Sequence, residues 1–139
     1  MSNKIKGSFI LNKDGNLEIK FQDNNIKESK EEGKYTYDIK FNDETVKIGS
    51  TEQSPNNSAT FIAKRGYTEP SITTAELHDE IKNHLKGGGS VSVEYTKHTN
   101  TTDSTKSIKK KLQDEYKEQY GEYPKYDKQR AGKKWKKDT

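Results

Sequence analysis

Short runs in which apolar and polar residues alternate occur along this chain, and that pattern is typical of strands with one buried face. The opening "KIKGSFILNKDGNLEIKF" has two such runs around Asp14 and Gly15, and an Asp-Gly pair between them predicts a hairpin. "KYTYDIKF" and "ETVKIG" predict a second hairpin, with Asn42 and Asp43 at its turn. "SVSVEYT" alternates in the same way and predicts one further strand.

Segments whose apolar residues have helical spacing lie between these strands and after the last of them. "SPNNSATFIAKRG" offers Ser and Asn as caps and predicts a short helix that stops at Gly66. In the next segment Leu77, Ile81 and Leu85 recur every four residues, and the same spacing returns over residues 108–120. These patterns predict an α+β fold, with a small central, mostly antiparallel three-stranded sheet flanked by helices and an N-terminal β-hairpin.

The amino-acid composition limits which cell compartment the protein suits and which kinds of metal or disulfide site it can form. The chain has 139 residues, which suits one domain, and only 26% of them are hydrophobic against 35% charged. It has no cysteine, which excludes disulfides and thiolate zinc sites and fits a reducing cytoplasm. No apolar run approaches the roughly 20 residues of a membrane helix, so we expect a cytoplasmic protein with no membrane partner.

Positive charge is concentrated at the C-terminus. The formal net charge of +4 permits nucleic-acid binding without requiring it, but the final "RAGKKWKKDT" carries five cations and one aspartate. Lysines neutralise phosphates and aromatic rings stack on bases, so this segment favours DNA contact over a solubilising tail. The candidate DNA-binding residues are Lys64, Lys125, Lys128, Arg130, Lys133, Lys134 and Trp135.

Three stretches, "GKYTYDI", "VKIGST" and "KLQDEYKEQYGEYPKYD", occur in that order. Together they resemble the first signature strand, the second signature strand and the closing helix of the GIY-YIG nuclease family. In its closing element the family places a carboxylate ahead of a proline and ends with Tyr-Asn, and Glu115, Pro124, Tyr126 and Asp127 match that order. The resemblance implies a nuclease-like domain at 34–128, preceded by a hairpin and charged loop at 1–33 and followed by a basic tail at 129–139.

The chain departs from the usual family pattern in its first signature, which is Tyr-Thr-Tyr-Asp-Ile, and at two further positions. Lys47 stands where the second signature normally has a tyrosine, and Asp127 replaces the terminal asparagine. A branch of the family that includes small restriction endonucleases has the same "KIG", with a tyrosine ten residues earlier. Tyr37 stands ten residues before Lys47, which favours Tyr37 over Tyr35 as the first catalytic residue.

The resemblance implies phosphodiester hydrolysis by Tyr37, Lys47, Arg65 and Glu115. We expect Tyr37 to activate or position the water, because a nearby Lys47 ammonium would lower the pKa of its phenol. Arg65 would grip the scissile phosphate through its planar fork. Glu115 would hold one divalent cation, Mg²⁺ or Mn²⁺, on the leaving-group side. Accessory candidates are Tyr35, His98 and Asp114.

Each of these residues also has a purely structural interpretation. Tyr37 could be a half-buried strand tyrosine, and Lys47 could be a solvated edge residue that discourages strand pairing. Arg65 could form a salt bridge or contact the end of its helix. Glu115 lies in a helix dense with charge, where a solvent-facing role is common, and Asp114 takes its place if the register slips by one.

The function implied by the resemblance is a metal-dependent DNA endonuclease, of restriction type on duplex DNA. Such enzymes commonly act as dimers so that both strands are cut, which makes a homodimer one expectation. Two other functions stay open from the sequence: a catalytically inactive module that binds nucleic acid, and a phage-type protein inhibitor of a host nuclease.

Overall fold

The computed structural model describes residues 4–64 and 72–127. Its strands are β1 (Lys4–Leu11), β2 (Leu17–Phe21), β3 (Tyr35–Phe41), β4 (Glu44–Thr51) and β5 (Val91–Lys97). Its helices are α1 (Pro55–Ala63), α2 (Ile72–Lys86) and α3 (Thr105–Tyr120), and two short 3-10 turns, Asp23–Asn25 and Glu28–Lys30, lie between β2 and β3.

All five strands form one antiparallel sheet in the order β2-β1-β5-β3-β4. The α+β class is confirmed, but the prediction of a three-stranded sheet was wrong. The N-terminal hairpin joins the sheet because β1 pairs with β5, from Lys4 opposite Thr96 to Phe9 opposite Val91. The buried residues of β1 then continue the apolar surface of β5 and β3 into a single core.

The turns of both predicted hairpins depend on residues that tolerate a positive φ. Gly15 has a φ of 81°, and the side chain of Asn12 accepts hydrogen bonds from the backbone N–H groups of Asp14 and Asn16. Asn42, between β3 and β4, has a φ of 57°. Local turn chemistry therefore sets both hairpins, as the sequence predicted.

The sheet has helices on both faces. Helices α1 and α2 bury Ala59, Ile62, Leu77 and Ile81 against one face, which carries the apolar residues of β1, β3 and β5. Helix α3 packs against the other face, at β3 and β4, where the sheet is polar. Each of the helices within the described ranges is shorter than the roughly 20 residues that crossing a lipid bilayer requires.

The end of α3 returns the chain to the edge of the sheet. Gly121 ends the helix with a φ of 88°, a left-handed conformation that suits glycine. The backbone N–H of Tyr126 then donates to the carbonyl of Val46 at 2.8 Å. This contact fixes the segment that follows α3 along β4 and places Asp127 beside the second signature strand.

Candidate active site

The pairing of β3 with β4 brings the two predicted signature residues to the same face of the sheet. Tyr37 lies opposite Gly49, and Ile39 lies opposite Lys47. Opposite residues share a face, and so do residues two apart on one strand. Tyr37 and Lys47 are therefore diagonal neighbours on the face covered by α1 and α2.

Gly49 makes room for the Tyr37 ring. A Cβ atom on Gly49 would overlap the Cζ atom and the hydroxyl of Tyr37, neither of which can move away without turning the whole ring. On its other side the ring packs against Tyr95, with centroids 5.1 Å apart. The glycine of "KIG" is thus required by the tyrosine of the preceding strand, which links the two signature stretches physically.

Lys47 forms an ion pair with Asp127. The Lys47 Nζ atom is 3.2 Å from Asp127 Oδ1, and the two side chains are only 15% and 0% exposed. Both carboxylate oxygens of Asp127 also accept from the backbone N–H of Ile48, each at 3.2 Å. The departures at Lys47 and Asp127 are thus partners, because an ammonium and a carboxylate stand where the family usually has a phenol and an amide.

Burial opposes the charge on Asp127. Desolvation raises the pKa of its carboxyl above the ordinary value, and the Lys47 ammonium offsets part of that increase by favouring the ionised form. Hydrogen bonds from Gln113 and from the Ile48 backbone act in the same direction as Lys47. The carboxylate is therefore held in place by several donors and depends on all of them.

The phenol of Tyr37 is a weaker acid than the sequence suggested. Burial, together with the charge of Asp127, raises the pKa of Tyr37 to about 12. The expectation that Lys47 would lower this pKa was wrong in direction, because the Lys47 charge is matched by Asp127 and the ring is desolvated. At neutral pH Tyr37 is a neutral hydroxyl that can donate a hydrogen bond, and it is not a phenolate base.

This raised pKa predicts a loss of stability in alkali. A group whose pKa is higher in the folded state contributes stability that is present below its unfolded pKa and is lost as the pH rises through the folded value. For Tyr37 that window runs from about pH 10 to about pH 12, and the loss amounts to at most about 3 kcal/mol. Denaturant unfolding across this range, with phenolate absorbance recorded in parallel, checks the prediction, and stability that is flat up to pH 12 would contradict it.

Gln113 connects α3 to the ion pair, which the sequence did not reveal. It is only 2% exposed, and its Nε2 donates to the Ile48 carbonyl at 3.3 Å and to the Asp127 carboxylate. Its Oε1 is buried and has no hydrogen-bond partner among the described residues. An uncharged amide between the lysines and the carboxylates of α3 was the available signal.

Glu115 lies on a different side of α3 from Gln113. Residues two apart on a helix do not share a face, so Glu115 points away from the contact that Gln113 makes with Asp127. Glu115 is exposed and lines a groove of about 430 Å³ between α3 and the polar face of the sheet. Tyr37 also lines this groove, whereas Lys47 and Asp127 do not, so Lys47 and Glu115 are not brought to one surface.

The accessory candidates have separate surroundings. Tyr35 is buried in the core, and its hydroxyl donates to the Glu31 carbonyl at 2.8 Å. His98 lies in the same groove as Glu115, with Nε2 2.7 Å from the Thr36 hydroxyl, and burial together with Lys4 lowers its pKa. Asp114 is exposed and accepts from the Tyr123 hydroxyl at 3.2 Å.

Part of the predicted site falls outside the described residues. Lys64 is exposed at the end of α1, and Lys125 is exposed with its Nζ 5.4 Å from the centre of the Tyr126 ring. The remaining members, which lie outside the described ranges, are Arg65, Lys128, Arg130, Lys133, Lys134 and Trp135. Over residues 4–64 and 72–127, no three histidine, aspartate or glutamate side chains converge in a way that could hold a metal ion.

Neither a protein-family model nor a curated protein matches this chain. Among solved structures, the fold is similar to that of a glutamate-to-alanine mutant of bacteriophage T4 EndoII, with a TM-score of 0.57 and 16% sequence identity. The similarity covers 88% of this chain and 91% of that chain. At this level of identity the similarity shows a shared α+β fold.

Proposed function

We propose that this protein is a GIY-YIG-type endonuclease that hydrolyses phosphodiester bonds of duplex DNA with a divalent cation. The observation that carries the proposal is the Lys47–Asp127 ion pair on the strand next to Tyr37, within a GIY-YIG-like fold. The fold similarity to EndoII, whose name denotes an endonuclease, supports the same class of reaction. The "KIG" strand supports a restriction-type enzyme. We further propose that it acts in the cytoplasm, as a homodimer that cuts both strands of the duplex.

The proposed reaction adds water across the bond between phosphorus and the leaving oxygen. The water oxygen bonds to phosphorus, the bond to the leaving oxygen breaks, and the two protons finish on the new phosphate terminus and the new hydroxyl. The Tyr37 hydroxyl would position the water, and the Lys47 ammonium would stabilise the added charge of the pentacovalent phosphorane. Asp127 would keep that ammonium in place, and Arg65 would bind the scissile phosphate.

A Mg²⁺ or Mn²⁺ ion is chemically compatible with the carboxylate of Glu115. This side chain is exposed in the groove and makes no hydrogen bond or ion pair with another described residue, so both of its oxygens can accept a cation. Magnesium is often bound through one or two carboxylates, with substrate phosphates and water completing its coordination. When bound, the cation would supply stabilisation of the charge on the departing oxygen.

Incubation of long duplex DNA with the protein, with and without Mg²⁺, tests the proposed function. We expect discrete fragments that form only with the cation, and mapping of their ends would show whether the cuts share a sequence. Glu115→Gln should slow cleavage about a hundredfold, the kinetic effect of losing a few kcal/mol of transition-state stabilisation. Asp114→Asn is the matched control on the same helix. A larger loss of cleavage rate in Asp114→Asn than in Glu115→Gln would assign the cation to Asp114.

One observation favours a second function, that of a catalytically inactive module that binds DNA. The residue of α3 that reaches the ion pair is Gln113, an amide, and the carboxylate of Glu115 lies on a different side of the helix. An amide cannot replace a carboxylate as a ligand for a hard cation with the same affinity. DNA that is bound but stays intact with every divalent cation would support this second function.

A further inference from the structure

The first half of α3 carries a patch of exposed lysines. Lys106, Lys110 and Lys111, called here the α3 lysine patch, lie within six residues, and no acidic residue occurs between Thr105 and Gln113. All three are exposed, and none of them forms an ion pair with another described residue. The patch is therefore a surface of unmatched positive charge.

The order of charges along α3 is opposite to the order that stabilises a helix. Cations are favourable near a helix C-terminus and anions near its N-terminus, yet α3 begins with the lysine patch and carries Asp114, Glu115 and Glu118 later. Lys106 and Lys110 are also like charges at a four-residue spacing, which is unfavourable. Since this order costs stability in the free protein, a bound polyanion provides a physical reason for it.

The position of the patch relates it to the proposed cleavage site. Lys106 lies one turn, or about 6 Å, before Lys110 on the same side of α3, a length over which one DNA strand carries about two phosphates. Lys110 and Lys111 line one shallow groove together with Glu115. Lys111 precedes Glu115 by one turn, or about 6 Å. We infer that the α3 lysine patch binds the sugar–phosphate backbone of duplex DNA beside the cleaved bond, an inference that rests on the proposed function for its substrate.

Binding without cleavage tests this inference. The combined variant Lys106→Gln, Lys110→Gln and Lys111→Gln removes the charge but retains residues that favour helices. Its affinity for a labelled duplex, measured by anisotropy in EDTA, should fall at least tenfold at about 50 mM salt. The slope of log affinity against log salt should fall by about 2 to 3, since each lost phosphate contact contributes about 0.9. Its thermal unfolding midpoint should equal or exceed that of the unchanged protein.

The matched control removes the same charge elsewhere. Lys13, Lys27 and Lys86 are exposed lysines outside α3, and their combined change to glutamine should leave affinity within about threefold. A variant with arginine at the three patch positions keeps the charge and should bind like the unchanged protein. Three results would each overturn the inference. They are equal losses of DNA affinity in the patch and control variants, a loss of affinity in the arginine variant, and no DNA binding by the unchanged protein.

A separate cleavage assay with Mg²⁺ distinguishes this inference from the proposed function. Weakened binding by the patch variant together with uncut DNA in every sample would keep the patch as a DNA-binding surface and remove the nuclease activity. If the unchanged protein cleaves DNA and the patch variant binds DNA as tightly as the unchanged protein, the proposed nuclease function stands. The DNA contacts then lie outside the α3 lysine patch.

Discussion

Replacing Lys47 by methionine is expected to lower the free energy of unfolding by about 3 kcal/mol at neutral pH, a loss in the range observed when one partner of a buried ion pair is removed. The variant would leave the fully buried carboxylate of Asp127 without its counter-charge, while methionine fills most of the volume of the lysine. Denaturant unfolding of the two proteins in the same buffer measures the difference.

The size of this loss should depend on pH. Burial already raises the pKa of Asp127, and removing Lys47 takes away a group that lowers it, so the pKa rises further. A raised folded pKa means that stability is retained below the unfolded value of about 3.9 and is lost as the pH rises through the folded value. The destabilisation caused by Lys47→Met is therefore expected in full at neutral pH and should shrink on acidification.

The partner variants show whether the loss belongs to the pair. Asp127→Asn alone should cost less, about 1 to 2 kcal/mol, because the Lys47 ammonium is partly exposed and can still reach water. The double variant Lys47→Met with Asp127→Asn should return to within about 1 kcal/mol of the unchanged protein, since no buried charge remains. If the losses in free energy of unfolding from the two single variants add in the double variant, this would contradict a direct interaction between Lys47 and Asp127.

Replacing Tyr37 by phenylalanine should slow DNA cleavage about a hundredfold or more while leaving affinity for DNA nearly unchanged, as expected when one positioned hydrogen-bonding group is removed from a reacting centre. The ring and its packing against Tyr95 and Gly49 are retained, so the change removes only the hydroxyl. Single-turnover cleavage and binding in EDTA measure the two effects separately.

Tyr35→Phe is the matched control for this variant, because Tyr35 is also a tyrosine of β3 on the same face. Its hydroxyl bonds to the Glu31 carbonyl, so phenylalanine there should cost about 1 kcal/mol of stability and leave cleavage unaffected. The cleavage rate should also show no transition from Tyr37 ionisation between pH 7 and 10, because its pKa is raised to about 12. Equal rates for both variants would remove Tyr37 from the reaction.

Local patterns in the sequence predicted most of the elements, and the reasons are visible in particular residues. Gly15 and Asn42 set the turns, and strand alternation and four-residue spacing marked the strands and the helices. The strand count failed because the pairing of β1 with β5 joins segments more than eighty residues apart along the chain. Register between such distant strands depends on side-chain packing across the whole sheet, which no local pattern reports.

The sequence indicated candidate residues for the site but not their electrostatics. The signature stretches pointed to Tyr37 and Lys47, and the register places them on one face. The partnership of Lys47 with Asp127 depends on how the segment after α3 returns to β4, and the raised pKa of Tyr37 depends on burial. Gln113 was missed because its role follows from a contact with backbone of a distant strand.

The most direct test of the account is the rate of metal-dependent DNA cleavage by the double variant Lys47→Met with Asp127→Asn, measured beside the unchanged protein. We expect a folded protein that still binds duplex DNA and cleaves it at least about a hundredfold more slowly, because in the proposed reaction the ammonium stabilises charge on the phosphate. Cleavage at the rate of the unchanged protein would contradict this, since the ion pair would then serve only the stability of the fold.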